Sequence, residues 1–295
     1  MIESPQVQAN NISKMLTGVL GADRFPVDME QLALEYSRLR FPHAYVSSVE
    51  QIDLPGVEGC LKSNADGSRW RIGYSSAHGS PGRVRFTLAH EFAHFMLHRA
   101  QQTSFECTER DLYERDASAR KLESEADTFA SYLLMPLDDF RAQLNGQPMG
   151  LAFLEHCRLR YGVSRVAAAL KWIEIAPQRA LVVAARDGVL LWARANDAAC
   201  RSGLDLATSQ SAVAVPAKSL LADIARGLAG GTRVADARIW FPRERAGKTV
   251  EEIAMKVDGP YPFVLGILQM PEVERTWRDD AADNEDQRPV RYGKF

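Results

Sequence analysis

No apolar run in the chain reaches the roughly 18 residues that a membrane-spanning helix needs. The opening MIESPQVQANN has neither the basic nor the apolar region of a secretory signal. The expectation is a cytoplasmic protein without a membrane segment. Cysteine is scarce: Cys60, Cys107, Cys157 and Cys200 are scattered, with no CxxC pair. That spacing speaks against a disulfide framework and a cysteine-ligated metal, and reduced thiols are the plain reading. Neither sign of charge is in excess, with 36 Lys and Arg against 38 Asp and Glu and a net charge of −2. Such a balance gives no general attraction to nucleic acid or to an anionic membrane. Internal repeats are absent as well. What is present is the composition of a globular protein, 46% hydrophobic and 25% charged. Its 295 residues exceed one ordinary core and suggest two domains.

Along the chain, VDMEQLALEYS (27–37) places Met29, Leu32, Ala33 and Tyr36 on one helical stripe, with Asp28 as N-cap. GVEGCLKSNADGSRWRIGYSS (56–76) reads as a hairpin turning at Asn64-Ala65-Asp66-Gly67, and as an edge strand for an extended peptide. Residues 99 to 118 read as a polar surface loop. ARKLESEADTFASYLLMP (119–136) is a helix with Leu122, Ala126, Phe129, Ala130 and Leu133 as its apolar stripe, stopped by Pro136. Two further helices meet at YGVSRVAAALKW (161–172), where Gly162 can end one and Ser164 can cap the next. This is helix-turn-helix grammar. Because Arg158, Arg160, Arg165 and Lys171 form no dense basic face, DNA binding is the weaker reading and a buttressing hairpin the stronger. After Pro177 the texture changes to a hairpin at 180–195 turning at Asp187-Gly188, a helix at 215–231, and strands at 234–242, 249–257 and 262–270.

The segment RFTLAHEFAHFMLH (85–98) carries the chemistry. It is helical and apolar nearly all round, the pattern of a buried helix, yet His90, Glu91 and His94 share one face. Burying such groups without partners costs several kcal/mol. The spelling is HExxH. Histidines four apart stack one turn apart on a helix, so both imidazoles can reach one ion. Zinc takes neutral imidazole nitrogens, and a catalytic site keeps three protein ligands and one open position. Glu91 lies beside that face, where a carboxylate can take a proton from water.

The third ligand has to come from elsewhere, and ESEAD (123–127) is the best source. Glu123 is favoured over Glu125. Asp127 stands one turn beyond Glu123 on the same face, placed to fix a ligand histidine's tautomer. His98 lies about 12 Å along the helix from His90, too far to share its ion, and suits a hydrogen bond to a loop or to the helix end. His43, His78 and His156 have no partner at ligand spacing. Tyr132 suits the core better than an oxyanion-stabilising role.

The blocks RFTLAHEFAHFMLHR and ESEADTFASYLLMP resemble those of the ImmA/IrrE family of bacterial zinc metallopeptidases. The likeness covers residues 1 to about 175 and departs at Ala93, where many members have glycine, and at Asp127, where many have asparagine. It implies His90, His94 and Glu123 as zinc ligands and Glu91 as catalytic base. It further implies an Xre-type helix-turn-helix repressor as protein substrate, cleaved to switch on stress or mobile-element genes. Some members also carry a GAF-like sensor domain after the peptidase.

The expected fold class is α+β: a zincin-like (gluzincin-like) metallopeptidase domain over 1–138, then a helix-turn-helix-like extension over 139–177. A small α+β domain, GAF-like by analogy of architecture alone, covers 178–272, and a polar tail covers 273–295. The expected function is zinc-dependent endopeptidase action on the repressor. The alternative is a metal-containing regulatory, DNA-binding or antitoxin-like protein without proteolysis.

Overall fold

The computed structural model describes residues 3–270 except 53–55, 77–79, 109–116, 146, 205, 207, 209–211 and 260. His78 and the polar tail therefore lie outside the described residues. The chain divides into two compact units, Met1–Ala168 and Ala169–Phe295.

The first unit opens with α1 (Pro5–Leu20), whose Ser4 side chain accepts from the Val7 amide and which buries Ala9, Ile12, Ser13 and Leu16. The first helical stripe evident in the sequence belongs to the next helix, α2 (Met29–Arg40). There Asp28 caps the helix by accepting from the Gln31 amide at 3.0 Å, and Met29, Leu32 and Ala33 are buried. A four-stranded sheet holds β1 (Tyr45–Gln51), β2 (Val57–Ser63), β3 (Arg69–Tyr74) and β4 (Ser104–Thr108), in the order β1-β3-β2-β4. β2 and β3 form the expected hairpin, with Gly67 at φ +72° in the turn, a conformation that favours glycine.

Two expectations about this sheet are corrected. β2 and β3 are both interior strands, so the hairpin offers no edge; β1 and β4 stand at the edges. Residues 104–108, read as loop, are the strand β4, paired antiparallel with β2. Five residues alternating Ser, Phe, Glu, Cys and Thr carry too weak a pattern to declare a strand before the partner is in place.

Helix α3 (Pro81–His98) lies against β2 and β3, and α4 (Ala117–Leu134) packs along α3. Ala89, Phe92, Ala93 and Phe95 of α3 are fully buried, as are Phe129 and Leu133 of α4. Phe92 meets Phe129 edge-on at 6.2 Å, and Phe95 meets Trp70 of β3 at 6.0 Å. Burial on both sides explains why α3 is apolar around most of its circumference.

Three helices follow: α5 (Leu137–Leu144), α6 (Leu151–Tyr161) and α7 (Arg165–Ile173). Gly162 adopts the left-handed conformation that ends α6, and the Ser164 hydroxyl accepts from the Ala167 amide at 3.0 Å. This turn sits on the first turn of α3. Arg85 donates to the Gly162 carbonyl at 2.6 Å, and a Cβ on Gly82 would lie 2.9 Å from the Val163 backbone. The helix pair thus braces α3. Its cations are engaged: Arg158 and Arg165 with Glu155, Arg160 with Asp139, and Lys171 with Glu174.

The second unit is an antiparallel sheet of β5 (Arg179–Arg186), β6 (Val189–Ala195), β7 (Gly231–Asp236), β8 (Thr249–Val257) and β9 (Phe263–Met270), in the order β6-β5-β9-β8-β7. The β5–β6 turn has Asp187 at φ +52° and Gly188 at φ +78°, the paired positive angles of a tight hairpin. Helices α8 (Asp197–Arg201) and α9 (Leu220–Ala225) contribute Ala199, Leu220, Leu221 and Ile224 to a core with Leu181, Val183, Trp240 and Leu268. The helix expected over 215–231 shrinks to six residues. Gly227 at φ +108° breaks it, and Gly231 already opens β7, three residues before the expected strand. Both units mix helix and sheet, in keeping with the α+β expectation.

Candidate metal centre

The site is built where α3 and α4 face each other. His90 and His94 come from one face of α3, and their Nε2 atoms converge to 3.0 Å. Glu123, in the second turn of α4, completes the group: its Oε2 is 3.3 Å from His90 Nε2 and its Oε1 is 3.4 Å from His94 Nε2. One donor atom from each of the three lies within 4.8 Å of the others, close enough to hold one metal ion. Glu125, the rival third ligand, is not in this group. Its Oε2 is 3.1 Å from Nε2 of His98.

Electrostatics suit the donors to a cation. Burial pushes the His94 imidazole down to about 4, against the opposing pull of the Glu123 carboxylate, so the ring is neutral at physiological pH. For Glu123, burial alone would push the carboxyl up. The adjoining imidazoles of His90 and His94 outweigh it and hold the group well below the usual carboxylate range. Two imidazole nitrogens and a carboxylate are donors that zinc accepts, and three such ligands leave a tetrahedral position open. The residues present therefore fit the expected metal.

Second contacts orient the rings. The Nδ1 of His90 lies 2.9 Å from Asp127 Oδ1, the carboxylate contact expected from the spacing. Phe105 of β4 stacks on the His94 ring at 4.5 Å and 19°. His98 differs from expectation: its Nε2 faces Glu125 on helix α4, and its Nδ1 sits 3.0 Å from Nδ1 of His94. The i, i+4 spacing of 94 and 98 puts both rings on one face of α3.

Glu91 is fully buried beside the group, on the side of α3 that faces β2. Gly59 of β2 makes the space: a Cβ there would fall 2.5 Å from Glu91 Oε1 and 2.6 Å from Thr87 Cγ2. Nothing in the sequence marked Gly59, since the facing helix is brought to it only by the fold. Elsewhere, His43 is exposed and His156 bonds Gln143 at 2.9 Å, so neither joins the centre. Tyr132 is half-buried on α4. Among the described residues no helix is long and apolar enough to cross a membrane.

Comparison with known proteins agrees with this picture. A comparison with curated proteins gives no match. A solved structure of a Mycobacterium tuberculosis transcriptional regulator is similar in fold, with a TM-score of 0.54 and 16% identity, covering 90% of this chain and 76% of that one. The family model described as IrrE N-terminal-like domain, a peptidase family, matches residues 49–172. That span takes in β2, β3 and β4, α3, α4 and nearly all of the bracing helices, and with them every residue of the candidate centre. Residues 49–172 are thus similar to an IrrE N-terminal-like domain, in agreement with the ImmA/IrrE resemblance of the two sequence blocks.

Proposed function

We propose that the chain is a zinc-dependent endopeptidase that cleaves an Xre-type helix-turn-helix repressor and so derepresses stress or mobile-element genes. The observation that carries the peptidase reading is the convergence of His90, His94 and Glu123 within 4.8 Å, with Glu91 adjoining on α3. Zinc held by those three supplies Lewis-acid chemistry, polarising a peptide carbonyl and lowering the pKa of water toward about 7. Three protein ligands, rather than the four of a closed structural site, favour catalysis over a purely architectural metal.

The chain's own residues divide the remaining work. Glu91 accepts the proton of the attacking water as the C–O bond forms, and then passes it to the amide nitrogen as the C–N bond breaks. Asp127 accepts from His90 Nδ1–H, which leaves Nε2 as the metal-facing nitrogen. β4 is the strand for an extended substrate. It stands at the sheet edge next to His94, through Phe105, where a peptide can add as a further strand. The repressor as substrate rests on the family resemblance. The engaged arginines of α6 and α7 speak against DNA reading by this helix pair.

The test is incubation of the purified protein with candidate Xre-type regulators, with and without chelator. Glu91→Gln is expected to keep its metal while cleavage falls by about 10²–10⁴-fold, the usual worth of a positioned general base. Alanine at His90, His94 or Glu123 is expected to remove the metal itself. Wild-type cleavage by Glu91→Gln would overturn the mechanism.

A further inference from the structure

His94 presents one ring nitrogen to the metal group, and the surroundings of the other are equally built. Its Nδ1 lies 3.0 Å from Nδ1 of His98, and Nε2 of His98 lies 3.1 Å from Oε2 of Glu125. His98 is 1% exposed and packs near Phe105 at 6.1 Å. Glu125 is one-third exposed, and Lys121 approaches its other oxygen at 3.8 Å.

The chemistry of this row has a fixed direction. An ionised carboxylate only accepts hydrogen bonds, so the His98 nitrogen facing Glu125 must carry the proton. Neutral His98 then has a lone pair on Nδ1, and only a donor can face it. That donor is Nδ1–H of His94, which leaves the lone pair of His94 on Nε2, toward His90 and Glu123. The opposite direction would set the lone pair of His98 Nε2 against Glu125, outside the metal group, and place a proton on the nitrogen of His94 where an ion would bind.

We propose that His98 is a positioning residue for the metal centre: with Glu125 behind it, it sets the tautomer of His94 that can bind the ion. This rests on the metal-binding reading above. It gives the two histidines of HExxH separate supports, Asp127 directly for His90 and the His98–Glu125 pair for His94. His98 is then no ligand, because each of its ring nitrogens already faces a partner. Glu125 acts one residue further out.

The full-length protein tests this by equilibrium competition for zinc against a coloured chelator. His98→Leu fills the space without a polar atom and is expected to weaken zinc binding by about 10–100-fold, the usual effect of removing such a support. His98→Gln keeps an oxygen that can accept from His94 and is expected to recover most of that loss. Glu125→Ala should weaken binding in the same direction by less. Cobalt-loaded His98→Gln should keep the wild-type absorption bands, since no ligand is removed. Equal affinities for the Gln and Leu variants, or a changed cobalt coordination, would overturn the proposal. If His98→Leu does not fold, Glu125→Ala decides alone, and an effect below about twofold overturns it. His94→Ala is the control. If it binds zinc as tightly as wild type, the metal reading itself fails, a result distinct from failure of the His98 role.

Discussion

At the scale of single residues, the centre combines groups that folding holds in the protonation state a cation needs. Burial lowers His94 from its ordinary 6.5 to about 4. As pH falls below about 6.5, the unfolded chain gains a proton that the folded, metal-free chain refuses until about pH 4. The neutral ring's contribution is therefore complete above pH 6.5 and is lost as pH falls toward 4, on the order of a few kcal/mol. Glu123 acts in the same sense at lower pH, because its carboxyl is held below the usual range. Urea unfolding of chelator-treated protein should accordingly show midpoints that fall from about pH 7 to about pH 5. His94→Gln, which cannot titrate, should flatten that slope. Equal slopes would remove His94 burial as the cause.

At the scale of elements, two glycines set how closely α3 approaches its neighbours, and they should fail differently. A Cβ on Gly82 would meet backbone of the 162–164 turn at 2.9–3.1 Å, and backbone cannot rotate away. Gly82→Ala should therefore cost stability, about 1–3 kcal/mol as for other overpacked contacts, read as a lower unfolding midpoint. A Cβ on Gly59 would meet the end of the Glu91 side chain and the Thr87 methyl, which can yield by moving. Gly59→Ala should keep more of its stability and its zinc but lose cleavage, because the displaced group is the proposed base. A Gly59→Ala protein that cleaves normally would show that Glu91 has room the packing denies it.

At the scale of the whole molecule, the candidate centre and its braces lie within Met1–Ala168, and the antiparallel sheet of the second unit lies within Ala169–Phe295. The division falls inside α7, so a cut intended to spare that helix belongs after Pro177. We propose a sensing role for the second unit: a ligand there can act on cleavage only through different affinities for active and inactive states. A chain of residues 1–177 should bind zinc as the full chain does, since every donor and contact of the centre is retained. Its repressor cleavage should lose dependence on the inducing signal. Identical rates for both chains, with and without inducing conditions and at matched zinc content, would reduce the second unit to a structural role.

The sequence by itself determined what is local. HExxH spacing places His90 and His94 one turn apart, Asp28 and Ser164 cap their helices, and Asp187-Gly188 turns its hairpin, because each depends on a few bonds to near neighbours. The ESEAD block narrowed the third donor to two glutamates, and helix α4's rotation against α3 brings Glu123 to the histidines and turns Glu125 to His98. Only the tertiary structure decided that rotation, since it follows from Phe92 and Phe129 packing across the pair. The same holds for the sheet order. Strand β4 has too few residues to declare itself and becomes a strand by pairing with β2, which moves the hairpin to the interior and the edge beside His94. The space for Glu91 depends on Gly59, a residue from another element whose only property is its missing side chain. Spacing along a chain fixes directions on one element; which groups meet is settled by how elements pack.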